Sequence, residues 1–130
     1  MEQRTILMID DERSWHDLLR RFFIPLGYRV WTAFTAEEGL RLAASGKPDC
    51  LVIDPLLAAG GAVGICAALR NSGRGGIPVI IFSSDPAVEL DAYSRCMAEG
   101  FVLKGRPGSL AALQKAIEAA LAPPGPQAAP

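Results

Sequence analysis

Three short runs, Ile6-Leu7-Met8-Ile9, Leu51-Val52-Ile53 and Val79-Ile80-Ile81-Phe82, are apolar at every position. A strand with one wet face alternates polar and apolar residues, because successive side chains point to opposite sides of the sheet. Runs without alternation belong to strands buried on both faces, the habit of a parallel sheet covered by helices. Adding the flanking residues and two further runs gives five expected strands: Thr5–Ile9, Arg29–Ala33, Cys50–Ile53, Val79–Phe82 and Phe101–Leu103.

Amphipathic stretches fill the intervals. Trp15, Leu18, Leu19, Phe22 and Phe23 fall at helical spacing, with Arg20 and Arg21 on another face, and Pro25 with Gly27 ends that segment. Thr35-Ala36-Glu37-Glu38 has the form of a capping box and opens a helix through Leu42 and Ala43. A third helix is expected over about Val63–Asn71, stopping at Gly73. Asp85-Pro86 reads as an N-cap with proline in the first turn, and that helix runs to near Gly100. Ser109 is expected to cap a last helix through Leu113, Ile117 and Leu121. Five strands alternating with five helices make a (βα)5 chain. Its simplest right-handed winding is a doubly wound, flavodoxin-like α/β sheet of order 2-1-3-4-5. Residues 1–122 form the expected domain, and the proline-rich 123–130 form a tail or linker.

Composition narrows the function. A balance of 13 Lys+Arg against 14 Asp+Glu offers no basic excess to neutralise phosphates, so nucleic-acid binding by bulk charge is not expected. The single histidine, His16, excludes zinc sites built on several imidazoles and reads as a surface residue beside the apolar stripe. Cys50, Cys66 and Cys96 are widely spaced without a CxxC, as reduced, buried thiols are. The first apolar run is too short for a signal peptide. The uncharged stretch Pro55–Leu69 falls short of the roughly 20 residues a spanning helix needs. A cytoplasmic protein without membrane contact is the expectation. Trp15, Trp31 and Tyr28 read as packing or surface aromatics, and Gly73, Gly75 and Gly76 as an ordinary connection into a strand.

In a doubly wound sheet the site forms at the carboxyl ends of the strands. The first strand ends in Asp10-Asp11 and then Glu12, the third in Asp54, the fourth in Ser83-Ser84 and the fifth in Lys104. Carboxylates converging on one rim repel one another unless a cation sits among them, and hard oxygen donors suit Mg²⁺. A lysine and a hydroxyl beside them can receive the oxygens of a phosphoryl group.

With those residues in register, the sequence resembles the receiver domains of two-component response regulators. The pieces that carry the resemblance are Ile9-Asp10-Asp11-Glu12, Leu51-Val52-Ile53-Asp54, Pro78–Ser84 and Phe101-Val102-Leu103-Lys104, within about Thr5–Leu121. It implies a signalling domain rather than an enzyme, with only self-phosphorylation and autodephosphorylation expected. Asp54 would accept a phosphoryl group from a sensor histidine kinase or phosphotransfer protein. Asp10, Asp11, Asp54 and the backbone carbonyl of Leu56 would hold Mg²⁺. Lys104 would pair with the phosphoryl group, Ser83 would swing towards it, and Phe101 would follow as a switch, although plain core packing accounts for Phe101 equally well. The partner downstream would be an effector domain or protein, and the chain either a stand-alone regulator or part of a longer one. Pro55, Ala58 and the 59–62 turn depart from the family pattern, as does Gly105 where a cis-proline commonly follows the lysine. Those departures motivate a second reading, a degenerate receiver acting as an unphosphorylated interaction module. A phosphatase fits less well, since its motif wants Asp-x-Asp where the two acids here are adjacent.

Overall fold

The computed structural model describes residues 3–55, 64–68 and 76–122. Its strands are β1 (Thr5–Ile9), β2 (Arg29–Ala33), β3 (Cys50–Ile53), β4 (Val79–Ser83) and β5 (Gly100–Leu103). They form one parallel sheet in the order β2-β1-β3-β4-β5. The helices are α1 (Arg13–Phe23), α2 (Ala36–Gly46), α3 (residues 64–68), α4 (Glu89–Ser94) and α5 (Ser109–Leu121). The rest of the expected third helix and the 123–130 tail lie outside the described residues.

The unbroken apolar runs are explained by two cores, one on each side of the sheet. Leu7, Ile9, Leu51, Ile53, Val79 and Ile81 face Ala43 of α2, Ile65 of α3 and Ala92 of α4. Their alternates Ile6, Met8, Val52, Ile80 and Phe82 face Leu19 and Phe23 of α1 and Leu113 and Ile117 of α5. Each strand therefore feeds both cores, one residue at a time. Cys50, Cys66 and Cys96 are buried, and burial pushes the Cys50 thiol up to about 12, so it behaves as a small inert hydrophobe.

Thr35 caps α2, its hydroxyl accepting from Glu38 N–H at 3.1 Å; Glu38 Oε1 reaches back one residue beyond the expected capping box and accepts from Phe34 N–H at 2.8 Å. That cap sets α2 so that Gly39 meets the first strand closely. A Cβ at Gly39 would stand 2.8 Å from Ile9 Cγ1, and Ile9 is fully buried with nowhere to retreat. Gly39→Ala gains up to about 1 kcal/mol of helix propensity but overpacks a filled core, at a cost of about 1–3 kcal/mol. The expected outcome in urea unfolding is a net loss of about 1 kcal/mol; a midpoint above wild type would show that Ile9 has room to move.

Two helix boundaries differ from expectation. Asp85 does cap its turn, its Oδ1 accepting from Ala87 N–H at 2.9 Å, but Pro86–Val88 is a 3-10 turn and α4 stops at Ser94, well before Gly100. Met97 turns the chain at φ +53, and Glu99 then pairs with the edge of β4 twice. Its N–H donates to Val79 O at 2.8 Å, and its carboxylate accepts from Val79 N–H at 2.6 Å. Those sheet bonds outweigh the helical tendency of residues 95–99. Ser109, in turn, is the first residue of α5 and not its cap; Gly108, at φ +79, precedes it without a side-chain bond.

Candidate functional site

The strand ladders run one residue past β1, β3 and β5, and those extra bonds place the three central side chains. Asp10 N–H donates to Ala33 O at 3.0 Å, Asp54 N–H to Ile9 O at 3.0 Å, and Lys104 N–H to Ser83 O at 2.8 Å. Pro55 favours the extended backbone that lets Asp54 continue its strand. The side chains then meet. Lys104 Nζ donates to Asp10 Oδ2 at 2.5 Å and to Asp54 Oδ2 at 3.0 Å, and all three residues are buried. Gly105 does the turning after the lysine at φ +77, without a cis peptide, and Lys104 is fully seated all the same.

Asp10 also holds the start of α1: its Oδ1 accepts from Glu12 N–H at 2.9 Å. Carboxylate oxygens of Asp10, Asp11, Glu12 and Asp54 lie within 4.8 Å of one another, the first and last buried, the middle two exposed. Such a set of hard, anionic oxygens with open outward positions fits Mg²⁺. Glu12 enters this cluster although sequence reasoning assigned it no role; its place next to the acidic pair was the available signal. The Leu56 carbonyl lies outside the described residues.

Ser83 is fully buried at the end of β4, whereas Ser84 is exposed, which separates the two candidate hydroxyls. Ser83 Oγ accepts from Asp85 N–H at 3.1 Å. Phe101 is half-buried on β5, paired with Ile81 and packed on the core beneath α2–α4; strand alternation puts it on the sheet face shared by Ser83.

His16 is a correction. It is buried, not on the surface, because Phe34 covers it at 4.5 Å between ring centroids and its Nε2–H donates to Asp10 O at 2.8 Å. Burial lowers its pKa, against the opposite pull of that hydrogen bond and of the Asp10 charge. Trp15, read as packing or surface, lies beside the site: Lys104 Nζ is 5.4 Å from its ring centroid and 5.6 Å from that of Phe82.

A five-stranded parallel sheet with an acidic cluster and a buried lysine at its carboxyl rim defines a class, and comparison with known proteins agrees. Residues 6–118 match the model of the response regulator receiver domain, so the chain belongs to that family. It is 32% identical over 83 residues to the response regulator MprA of Mycobacterium tuberculosis, an alignment covering 64% of this chain and 36% of that protein. The chain thus spans about a third of the length of the curated relatives it matches. Among solved structures, it is similar to TrrA from Thermotoga maritima, in complex with Mg²⁺-BeF (TM-score 0.80, 23% identity, 92% of this chain and 100% of that one). It is also similar to CheY4 of Vibrio cholerae (TM-score 0.78, 19% identity, 89% and 99%). No helix among the described residues is long and apolar enough to cross a membrane.

Proposed function

We propose that this chain is a phosphoryl-accepting switch, phosphorylated on Asp54 by a sensor histidine kinase or phosphotransfer protein and read by a downstream effector. The observation that carries the reading is the single ammonium of Lys104 bonded to both Asp10 and Asp54 inside the acidic cluster. An Asp54 carboxylate oxygen attacks the phosphorus of the donor. The new O–P bond forms as the donor's bond to phosphorus breaks, and the leaving group takes that electron pair. A carboxylate needs little activation as a nucleophile, so positioning and charge neutralisation supply most of the acceleration. Lys104, already on Asp54, pairs with the arriving phosphoryl oxygens. Ser83 turns away from the Asp85 N–H, from which its Oγ accepts, and donates its O–H to a phosphoryl oxygen, and Phe101, on the same face, repacks behind it. Mg²⁺ would be held by Asp10, Asp11 and Asp54, with Glu12 beside them, and by the Leu56 carbonyl, as the family resemblance implies; it would supply neutralising charge to the phosphoryl oxygens. The Mg²⁺-BeF complex of TrrA supports that choice of ion.

The test is intact mass after incubation with Mg²⁺ and acetyl phosphate. One phosphoryl group per chain is expected, and chelation of the metal or Asp11→Asn should reduce incorporation strongly. A wild-type chain left unmodified, under conditions that label another receiver, would overturn this reading and favour the unphosphorylated interaction module.

The lifetime of the phosphorylated form carries a further expectation. In the family's geometry Leu56 and Asp85 flank the path of the attacking water. Asp85 is acidic, but its carboxylate is engaged as the cap on Ala87 N–H, which holds it back. Apolar Leu56 should therefore dominate by shielding. Leu56→Asn is expected to shorten the half-life several-fold, about 1 kcal/mol of barrier. Asp85→Ala should alter it less while costing about 1 kcal/mol of stability through the lost cap. Phosphate release after donor removal checks both, and a Leu56→Asn half-life at or above wild type would sink the shielding argument.

A further inference from the structure

Lys104 is held by more than its two carboxylates. Its side chain is only 4% exposed, and its ammonium lies within 5.4 Å of the Trp15 ring centroid and 5.6 Å of the Phe82 centroid. The two rings meet edge to face, at 5.2 Å and 80°, so each braces the other. A cation within about 6 Å of a ring centroid is attracted by the ring's quadrupole, and more strongly where water is excluded. The backbone fixes where the lysine starts, through the bond from Lys104 N–H to Ser83 O at 2.8 Å, and leaves the course of its flexible side chain to the groups around it. The residue after it is Gly105, at φ +77, with nothing within 4 Å of where a Cβ would stand. The rings arrive from two elements that also carry site residues: Trp15 from the first turn of α1, just after Asp10 and Asp11, and Phe82 from β4, just before Ser83.

We infer that Trp15 is a positioning residue for Lys104, its indole face keeping the ammonium on Asp54, where the phosphoryl group arrives. This deepens the phosphoacceptor reading and rests on it. A lysine has four flexible carbons and a strongly hydrated head. With the indole gone, the carboxylates still attract it, but water reaches it and it spreads over more rotamers. Donor binding and the metal ligands are untouched, so the loss falls on the transfer step.

The experiment compares the full chain with Trp15→Phe, which keeps a ring, and Trp15→Leu, which keeps apolar bulk without one. Initial rates of phosphoryl incorporation are measured across acetyl phosphate concentrations at saturating Mg²⁺. In parallel, NMR follows the Lys104 ε-methylene protons, which ring currents displace. Trp15→Leu should lower the maximal rate about tenfold, the scale of a desolvated cation–π contact. Its half-saturating donor concentration and Mg²⁺ affinity should stay at wild-type values. Trp15→Phe should retain most of the rate. The ε-methylene resonances should move towards the ordinary lysine position in Trp15→Leu alone. A wild-type maximal rate in Trp15→Leu, or a loss traced wholly to donor or metal affinity, overturns the inference. Should the wild-type chain take up no phosphoryl group, the parent reading fails on its own, and the NMR arm still decides: unmoved ε-methylene shifts overturn the role of Trp15. If Trp15→Leu does not fold by circular dichroism, Trp15→Met, of similar reach and without a ring, carries the same expectations.

Discussion

Lys104→Met should lose about 3 kcal/mol of stability in metal-free buffer, because removing one partner from a buried ion pair leaves its counter-charges uncompensated. The geometry makes this a severe case. One ammonium serves two carboxylates, at 2.5 and 3.0 Å, and the side chains of Lys104, Asp10 and Asp54 are 4%, 0% and 8% exposed. Methionine fills nearly the same volume, so packing against Trp15 and Phe82 survives and the loss reports on charge. For a chain of this size the melting temperature should fall by on the order of 10 °C. Saturating Mg²⁺ should restore a large part of it, since an ion that binds only the folded carboxylate cluster stabilises by mass action. The Mg²⁺-dependent gain should be larger in Lys104→Met than in wild type, because the ammonium no longer competes for Asp10 and Asp54. Thermal melts of both proteins, with chelator and with Mg²⁺, check the pair of statements. A variant as stable as wild type without metal would mean that the lysine's desolvation cancels its attraction.

The sheet was legible because its strands contribute alternate residues to two cores: Ile6 and Met8 go one way, Leu7 and Ile9 the other, and the result is an unbroken apolar run. The site was legible for a related reason. In a parallel sheet, strand ends coincide at one rim, so Asp10, Asp54 and Lys104 could be brought together from sequence order alone. What failed were features decided by contacts distant in sequence. Residues 95–99 have helix-compatible side chains, and the bonds between Glu99 and Val79, reached through the turn at Met97, draw them out of α4. His16 sits beside an apolar stripe on a single helix, and its burial depends on Phe34, which arrives from the turn after β2. Trp15 belongs to that same stripe, whose N-terminal end abuts the strand ends. The stripe gave its burial, while its closeness to Lys104 followed only from where β4 and β5 deliver Phe82 and the lysine.

Asp54→Asn should abolish phosphoryl incorporation and not merely slow it, because no neighbouring group among the described residues is placed to take over. The amide keeps the shape of the carboxylate but gives up the anionic oxygen that the proposed function makes the nucleophile. Asp10 is fully buried, and its two oxygens are already engaged by Glu12 N–H and the Lys104 ammonium. Ser83 carries a hydroxyl, a weak nucleophile that needs an adjacent base. The chain's one imidazole, His16, spends its Nε2–H on the Asp10 carbonyl. Asp11 and Glu12 are exposed carboxylates on the turn into α1, while the Lys104 ammonium points at Asp10 and Asp54. The substitution leaves the pair between Lys104 and Asp10 in place, so stability should stay within about 1 kcal/mol of wild type, the scale of one net hydrogen bond. That separates it from Lys104→Met, where stability itself falls. Intact mass after acetyl phosphate treatment in Mg²⁺, with thermal melts alongside, measures both quantities. A stably folded Asp54→Asn chain that still gains a stoichiometric phosphoryl group would place the nucleophile elsewhere, and peptide mapping of that product would show which residue bears it.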